Sequence, residues 1–525
     1  MAKRLIAFSA VLALSTPLWA VHTFFTLPVP FHPASPERQT MMHNQLRSYI
    51  NEPNNGLSVT SFGGCSMDSE SLAGYFMPFG KSCLRTGGFG SQAVKDHEVD
   101  ILAHYFNVLN GENYRSETDI FPIVSTWTFQ GHLSFRPVHS FWGVGFVYHR
   151  QLSERHDKGF WFEIAMPVMG IKNNMHMCET VEEPETPSET PNQSFFYDGT
   201  GSAAQCMTTA LRSSNLQYGK IDAREYTKTK WGVADIEIQF GYLYKRTQNY
   251  HIGSYFGVLL PTSNAPTSAY LFEKIIGYNG HTGFFMGTRG GIAIWQHNEN
   301  KISIELETSQ TVFFDNTQLR SIDPYGKPWG RYLWVYPSNS NQANIAPGIN
   351  YFTKAMYVTH GSLRNLNLAG TYNTPHFQGE LGYHCYIRGE ESVQLAKQWQ
   401  ENPAVAALWY SDNKFVGSGA RRVSRNGATI NEYLNIHNDF NNFSSTEDLE
   451  SADNDTYIPI KRCDLDLSTA ESPAVVMHTM YGSVGYGWYD CRVPTFINFA
   501  GSYNFGYGTA VLNHWKLWLK LGVSF

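Results

Sequence analysis

The stretch NHWKLWLKLGVSF, residues 513–525, alternates without a break. Trp515, Leu517, Leu519, Leu521, Val523 and Phe525 fall on one face, and His514, Lys516, Trp518, Lys520, Gly522 and Ser524 on the other. Successive side chains of a strand point to opposite sides, so this pattern describes a strand with an apolar face and a wetter one. A strand that crosses a bilayer at a tilt needs roughly 9 to 11 residues, longer than most half-buried strands of soluble sheets. The segment predicts the closing strand of a transmembrane antiparallel β-barrel.

Composition agrees. Aromatic residues make up 15% of the 525, while charged residues make up 16%, against about 25% in an ordinary soluble protein. Barrels use aromatics as girdles at both membrane interfaces. A net charge of −6 gives no electrostatic footprint for nucleic acid. At the other end, Lys3 and Arg4 precede an apolar run, Leu5 to Leu14, and then Pro17, Leu18, Trp19 and Ala20. These are the regions of a cleavable secretory signal peptide, residues 1–20, too short to be a spanning helix. Seven cysteines are an odd number, so at least one is unpaired within the chain. Export permits disulfides, and Cys65 with Cys83, and Cys178 with Cys206, are the pairs that local spacing suggests.

Residues 21–122 lack sustained alternation and read as a periplasmic or plugging segment, or as an extra hairpin in which Gly56 to Phe62 is one strand. From Ile123 the alternation sharpens, and residues 123–525 read as the barrel. Ile123 to Arg136 reads as the first spanning strand, and 141–152, 159–171, 232–246, 250–260, 283–296, 301–314, 361–374, 377–389, 478–489, 495–507 and 513–525 as the rest. The count is twelve, with fourteen if the extra hairpin forms; an up-and-down barrel needs an even number. The connections near 153, 247, 297, 375 and 490 are short, whereas 172–230, 315–360 and 390–477 are long. That is the division between periplasmic turns and extracellular loops. Within the third long loop, Glu391 to Gln400 has helical character.

The alternate apolar residues Leu517, Leu519, Leu521, Val523 and Phe525 resemble the signal by which the barrel-assembly machinery recognises its clients. The runs Leu133 to Leu152 and Lys158 to Met175, with the C-terminal run from Cys463, Asp464, Leu465, Asp466 and Leu467 through Pro473 to Phe525, resemble a set of uncharacterised predicted outer-membrane proteins of Gram-negative bacteria. The resemblance implies the same porin-like barrel and the outer membrane, and transfers no catalytic residue.

Positions in phase with the wetter face define the lumen. Its basic members are Arg136, Arg289, Arg388, Lys516 and Lys520, and its acidic members Glu163, Asp235, Glu237, Glu305, Glu307 and Glu380. Strand order sets Arg136 beside Lys516 and Lys520, and Glu163 beside Asp235 and Glu237. Either these form a basic and an acidic wall along an open pore, with a transverse field on passing solutes, or they pair across the interior and close it. Metal and enzyme signals are thin. Asp464 with Asp466 suits a solvated loop better than Ca²⁺, and no phosphate loop, zinc spacing or nucleophile constellation occurs. The sequence predicts a channel for passive diffusion of small hydrophilic solutes, without cofactor, embedded in outer-membrane lipid and able to form homo-oligomers. A surface adhesin or structural barrel acting through its loops is the alternative.

Overall fold

The computed structural model describes residues 21–41, 55–87, 100–102, 130–153, 157–183, 208, 211–212, 216–221, 228–247, 249–336, 346–400, 403–411, 414–419, 460–489 and 491–525. Twelve antiparallel strands close on themselves. In chain order they are β1 Asn55–Ser66, β2 Val138–Gln151, β3 Gly159–Asn174, β4 Ile236–Arg246, β5 Tyr250–Leu260, β6 Gly283–His297, β7 Asn300–Phe313, β8 Leu363–Asn373, β9 Phe377–Arg388, β10 Val475–Trp488, β11 Thr495–Gly506 and β12 His514–Ser524. A four-residue strand, Lys230–Val233, extends the line of β4 along β3.

The closure is made by β12 against β1, in register from Gly56 opposite Ser524 to Ser66 opposite His514. Asn55 and Phe525 exchange both backbone hydrogen bonds at 3.0 Å. With no open edge, every strand finds its backbone partners inside the wall, which is the condition for crossing hydrocarbon. Outward positions are apolar, among them Trp515, Leu517, Leu519, Leu521, Phe256 and Phe499, while the intervening positions are buried and mostly polar. Among the described residues no helix is long and apolar enough to cross a membrane. The chain is an outer-membrane β-barrel, spanning by strands.

The twelfth strand is not the one that the alternation picks out. Of Ile123 to Arg136, the part before Gln130 lies outside the described residues. The Gln130–Ser134 strand pairs with Cys83–Gly87 and Cys178–Glu183 in a small sheet beyond the barrel rim. Its place in the wall is taken by β1, between β12 and β2. The physical reason is that β1 signals weakly: its outward positions are Leu57, Val59, Ser61, Gly63 and Cys65. Any half-buried strand shows alternation, and Gly131 to Ser134 alternate between buried and half-buried in a sheet apart from the wall. Residues 67–137 therefore connect β1 to β2 at the same end of the barrel as the three long loops that the sequence reading takes as extracellular.

The described residues of these loops build a cap over the end of the barrel where β12 begins. A helix, α1 (Ser69–Phe76), starts at Asp68, whose carboxylate accepts the Ser71 N–H at 3.0 Å. It buries Leu72, Ala73, Tyr75 and Phe76 against a core that includes Leu84, Leu133, Trp329, Tyr332 and Phe352. A sheet of Asn316–Ser321, Thr353–Thr359 and Ser392–Leu395 lies across the mouth. The last of these replaces the helix that Glu391 to Gln400 suggests, because Val393 is drawn into the cap core as a strand residue. No disulfide joins Cys65 to Cys83. Both are free thiols, one on the barrel wall and one in the cap sheet, and Cys178 is free as well. Cys206 and the signal-peptide region lie outside the described residues.

The cap holds ionisable groups under cover. Burial pushes the His360 imidazole down to about 4. At Glu391 burial works the other way, but Arg320, His360 and Arg388 and the Thr26 hydroxyl outweigh it and hold the carboxyl below its ordinary value. Both depressions act in the same sense. The unfolded chain takes up protons that the folded cap refuses, so stability present at neutral pH is lost as pH falls below the unfolded His value of about 6.5 and then through the carboxyl range. For His360 alone the loss from neutral pH to its folded value is about 3 kcal/mol. Tryptophan-fluorescence melts should show the cap loosening between pH 7.5 and 4.5, and His360→Gln should narrow that difference.

Candidate functional site: the occupied lumen

The wall alone would enclose a polar tube. In the structure the tube is filled by Val21 to Met41, almost all of it buried. Its first residues belong to the cap. Thr23 N–H donates to the Thr469 carbonyl at 2.7 Å, the Thr26 hydroxyl donates to Glu391 at 2.7 Å, and the Arg320 guanidinium lies 3.2 Å from the centre of the Phe24 ring. Phe31 then stacks on Phe62 of β1 at 5.7 Å. A Cβ at Gly145 of β2 would stand 2.3 Å from the Phe31 ring, so only glycine admits it. Met41 reaches Gly485 near the opposite end of the wall. The segment thus runs down the barrel axis.

Its charged residues meet the lumen charges. A four-residue helix, Pro36–Gln39, presents Glu37 and Arg38 to opposite partners. Arg38 forms ion pairs through its two terminal nitrogens with Glu163 of β3 and Glu237 of β4, and Glu37 pairs with Lys516 of β12. Lys520 donates to the carbonyls of Arg38 at 2.7 Å and Thr40 at 2.9 Å, and Trp518 Nε1 donates to the Thr40 hydroxyl at 3.0 Å. Gln239 adds a 2.6 Å bond to Glu163. A buried guanidinium is tolerable only with such company.

The remaining lumen positions are also engaged. Arg289 lies 4.1 Å from the Trp161 ring centre and 5.2 Å from that of Tyr255, whose hydroxyl donates to Glu307 at 2.6 Å. His251 stands 3.5 Å from Glu305, and Tyr481 donates to Glu380 at 3.1 Å. Arg388 donates to Thr26, Ser472 and Pro473 at the cap boundary. Asp235 sits at the irregularity between Val233 and Ile236, where its carboxylate accepts the backbone N–H groups of Ser263 and Tyr278. Arg136 is exposed beyond the rim, because the strand that carries it into the lumen in the sequence reading is not part of the wall.

Two segregated walls are therefore not what the fold assembles. Arg289 stands opposite Glu307 in register, and the strongest acidic cluster, Glu163 with Glu237, holds a cation from outside the wall. The residues that sequence reasoning missed are Glu37 and Arg38. One signal was present: they are the first Asp, Glu, Lys or Arg after Arg4, side by side at the end of a long uncharged run. Among the described residues no cluster suits a metal ion.

Neither a protein-family profile nor a curated protein sequence matches the chain. Solved structures align with it along most of its length. An outer membrane channel of Pseudomonas putida F1 matches over 96% of this chain and 98% of its own, at 9% identity and a TM-score of 0.33. A FadL homologue of Pseudomonas aeruginosa matches over 95% and 99%, at 8% identity and a TM-score of 0.28. The toluene transporter TodX of Pseudomonas putida matches over 96% and 96%, at 9% identity and a TM-score of 0.24.

Truncating Arg38 while leaving Glu163 and Glu237 in place strands two buried carboxylates, a change that costs about 3 to 5 kcal/mol. Hydrogen exchange followed by mass spectrometry should show peptides from 36–41 exchanging at least ~10²-fold faster in Arg38→Ala. The triple variant Arg38→Met, Glu163→Gln, Glu237→Gln, which removes the charges together, should recover most of the protection.

Proposed function

We propose that the protein is an outer-membrane channel for passive diffusion of small hydrophilic solutes, and that Val21 to Met41 is the element that closes it. The observation that carries this reading is the chemistry of the wall. Ser58, Thr60, Ser303, Asn365, Asn367 and Thr479 line the interior between the charged positions, all buried. A hydrophobic solute passing such a wall would desolvate hydroxyls and amides without replacing their hydrogen bonds, whereas water and polar solutes replace them. The ion pairs to Glu37 and Arg38 set the closed state, because their partners gain water when the segment leaves. Conduction then follows the hydrated lumen, with ion selectivity set by the fixed charges.

One observation favours a second reading. The loop residues Leu72, Phe76, Leu84, Leu133, Trp329, Tyr332 and Phe352 are packed into one apolar cluster with the inserted segment and the wall, the kind of built surface that a receptor or adhesin requires. In that case the barrel is a mount and the lumen stays shut.

Single-channel recording in planar bilayers separates the two. Lys516→Glu with Lys520→Glu removes the partner of Glu37 and the donor to the Arg38 and Thr40 carbonyls, and places carboxylates on the wall. The wild type should give brief, discrete openings. The double variant should open at least about tenfold more often, corresponding to a closed state weaker by about 1.4 kcal/mol, and favour cations. A heat-modifiable, folded barrel that conducts in neither form would sink the channel reading and leave the cap as the functional part.

A further inference from the structure

Two histidines of the cap face each other where β6 and β8 begin. The rings of His281 and His360 stand 5.3 Å apart, and Phe313 packs on His360 at 4.3 Å. Both are buried. The hydrogen bonds of His281 fix where its proton sits. Nδ1 lies 2.9 Å from the Phe314 carbonyl, which can only accept, so Nδ1 carries the hydrogen. Nε2 lies 2.9 Å from the Gln318 amide nitrogen and therefore accepts.

The Gln318 amide is fixed from its other side. Arg320 donates to Gln318 Oε1 through Nε at 3.0 Å and through a terminal nitrogen at 2.6 Å. A guanidinium only donates, so the amide oxygen faces Arg320 and the NH2 group faces His281. The same guanidinium lies 3.2 Å from the centre of the Phe24 ring and donates to Glu391 at 3.2 Å, and Glu391 accepts the Thr26 hydroxyl at 2.7 Å. A line of oriented contacts thus runs from His281 through Gln318 and Arg320 to Phe24 and Thr26 of the inserted segment.

A second proton on His281 breaks that line. Nε2–H then faces an amide NH2, and two donors cannot share a bond. The amide relieves the clash by turning its oxygen to the imidazolium. Its bonds to the Asn316 side chain and the Asn279 carbonyl, at 2.7 and 3.2 Å, are lost in the same turn. Arg320 loses the acceptor that aims it at Phe24 and Glu391. The charged groups facing the two histidines are Asp315, Arg320, Arg388 and Glu391. Burial outweighs them at His281 and holds its imidazole below the ordinary value. The neutral, closed arrangement is therefore favoured above about pH 6.5, the value of a free imidazole, and loses ground below it by up to about tenfold per pH unit.

We propose that this line is an acid-sensitive latch on the inserted segment: a proton taken from solution at His281 Nε2 turns Gln318 and frees Phe24 and Thr26 from Arg320 and Glu391. It rests on the reading of Val21 to Met41 as the closing element, and adds what releases its cap end. Arg388 keeps its 3.0 Å bond to the Thr26 carbonyl, so the side chains let go first.

Hydrogen exchange of the full barrel in micelles, corrected for its intrinsic dependence on pH, reads the latch. Peptides covering 22–27 should exchange at least about tenfold faster at pH 5.0 than at pH 7.5. His281→Gln, which offers an acceptor at the Nε2 position and does not titrate, should keep them slow at both. Gln318→Met, which orients neither neighbour, should leave them fast at both; if one variant does not fold, the other decides. His22, hydrogen-bonded to the Glu471 carbonyl at 2.9 Å, is the rival sensor. An acid response that survives in a folded variant passes the role to His22 or His360 and overturns the latch, as does a wild type without an acid response. Bilayer recordings at the same two pH values keep the readings apart: acid-accelerated exchange without openings leaves the latch standing and removes the channel.

Discussion

One buried guanidinium organises the interior. Arg38 has lost its water, and what replaces it comes from two neighbouring strands, Glu163 on β3 and Glu237 on β4. Neither carboxylate would sit comfortably in the closed lumen alone, and neither would the cation. Each makes the burial of the others tolerable, so the three behave as a unit. Around them, Lys516 and Lys520 fasten the adjacent residues to β12. The inserted segment is thereby gripped by strands from both sides of the β1–β12 seam.

That arrangement also explains how an interior so rich in charge remains closed. A lumen with this many carboxylates and ammonium groups would ordinarily hold water. Here the inserted segment supplies one cation and one anion at the positions where the wall offers their complements, and spans the remaining length with Phe24, Phe25, Leu27 and Phe31 against the cap core and β1. The apolar half needs the cap and the polar half needs the wall. The two halves of the segment fix the cap and the barrel to each other.

Much of this was legible in the sequence, and the part that was not has a common cause. The barrel and its inside-outside pattern follow from alternation, because lipid imposes one rule along every strand, as in β12. The count reaches twelve by including Ile123 to Arg136, whose described part pairs outside the wall, while β1 reads only as one strand of the alternative hairpin, because Ser61 and Gly63 occupy outward positions. Phase along a strand says which face Glu163, Glu237 and Lys520 occupy, but not what they meet there. Glu163 and Arg38 are separated by 125 positions, and Lys520 and Thr40 by 480. No local pattern encodes such a contact, so a charge facing a lumen reads the same whether it meets water or another chain segment. The cap fared likewise. Glu391 has the composition of a helix start, yet its place beside Arg320, under Thr26, is decided by elements far away in sequence.

The path of the inserted segment bears on the order in which the molecule is made. Val21 to Phe25 lie in the cap, Met41 lies toward the other end, and β1 begins at that same end before pairing with β12. The segment of residues 21–41 thus lies inside a ring that only the last strand completes. Threading it through a finished ring would mean dragging Arg38 and Glu37 past a closed wall. Gathering the strands around it requires only that β12 arrive last, and the long loop between the two ends of the chain makes that final pairing the most entropically demanding of all. On this topology the inserted segment is the mandrel on which the barrel is wound.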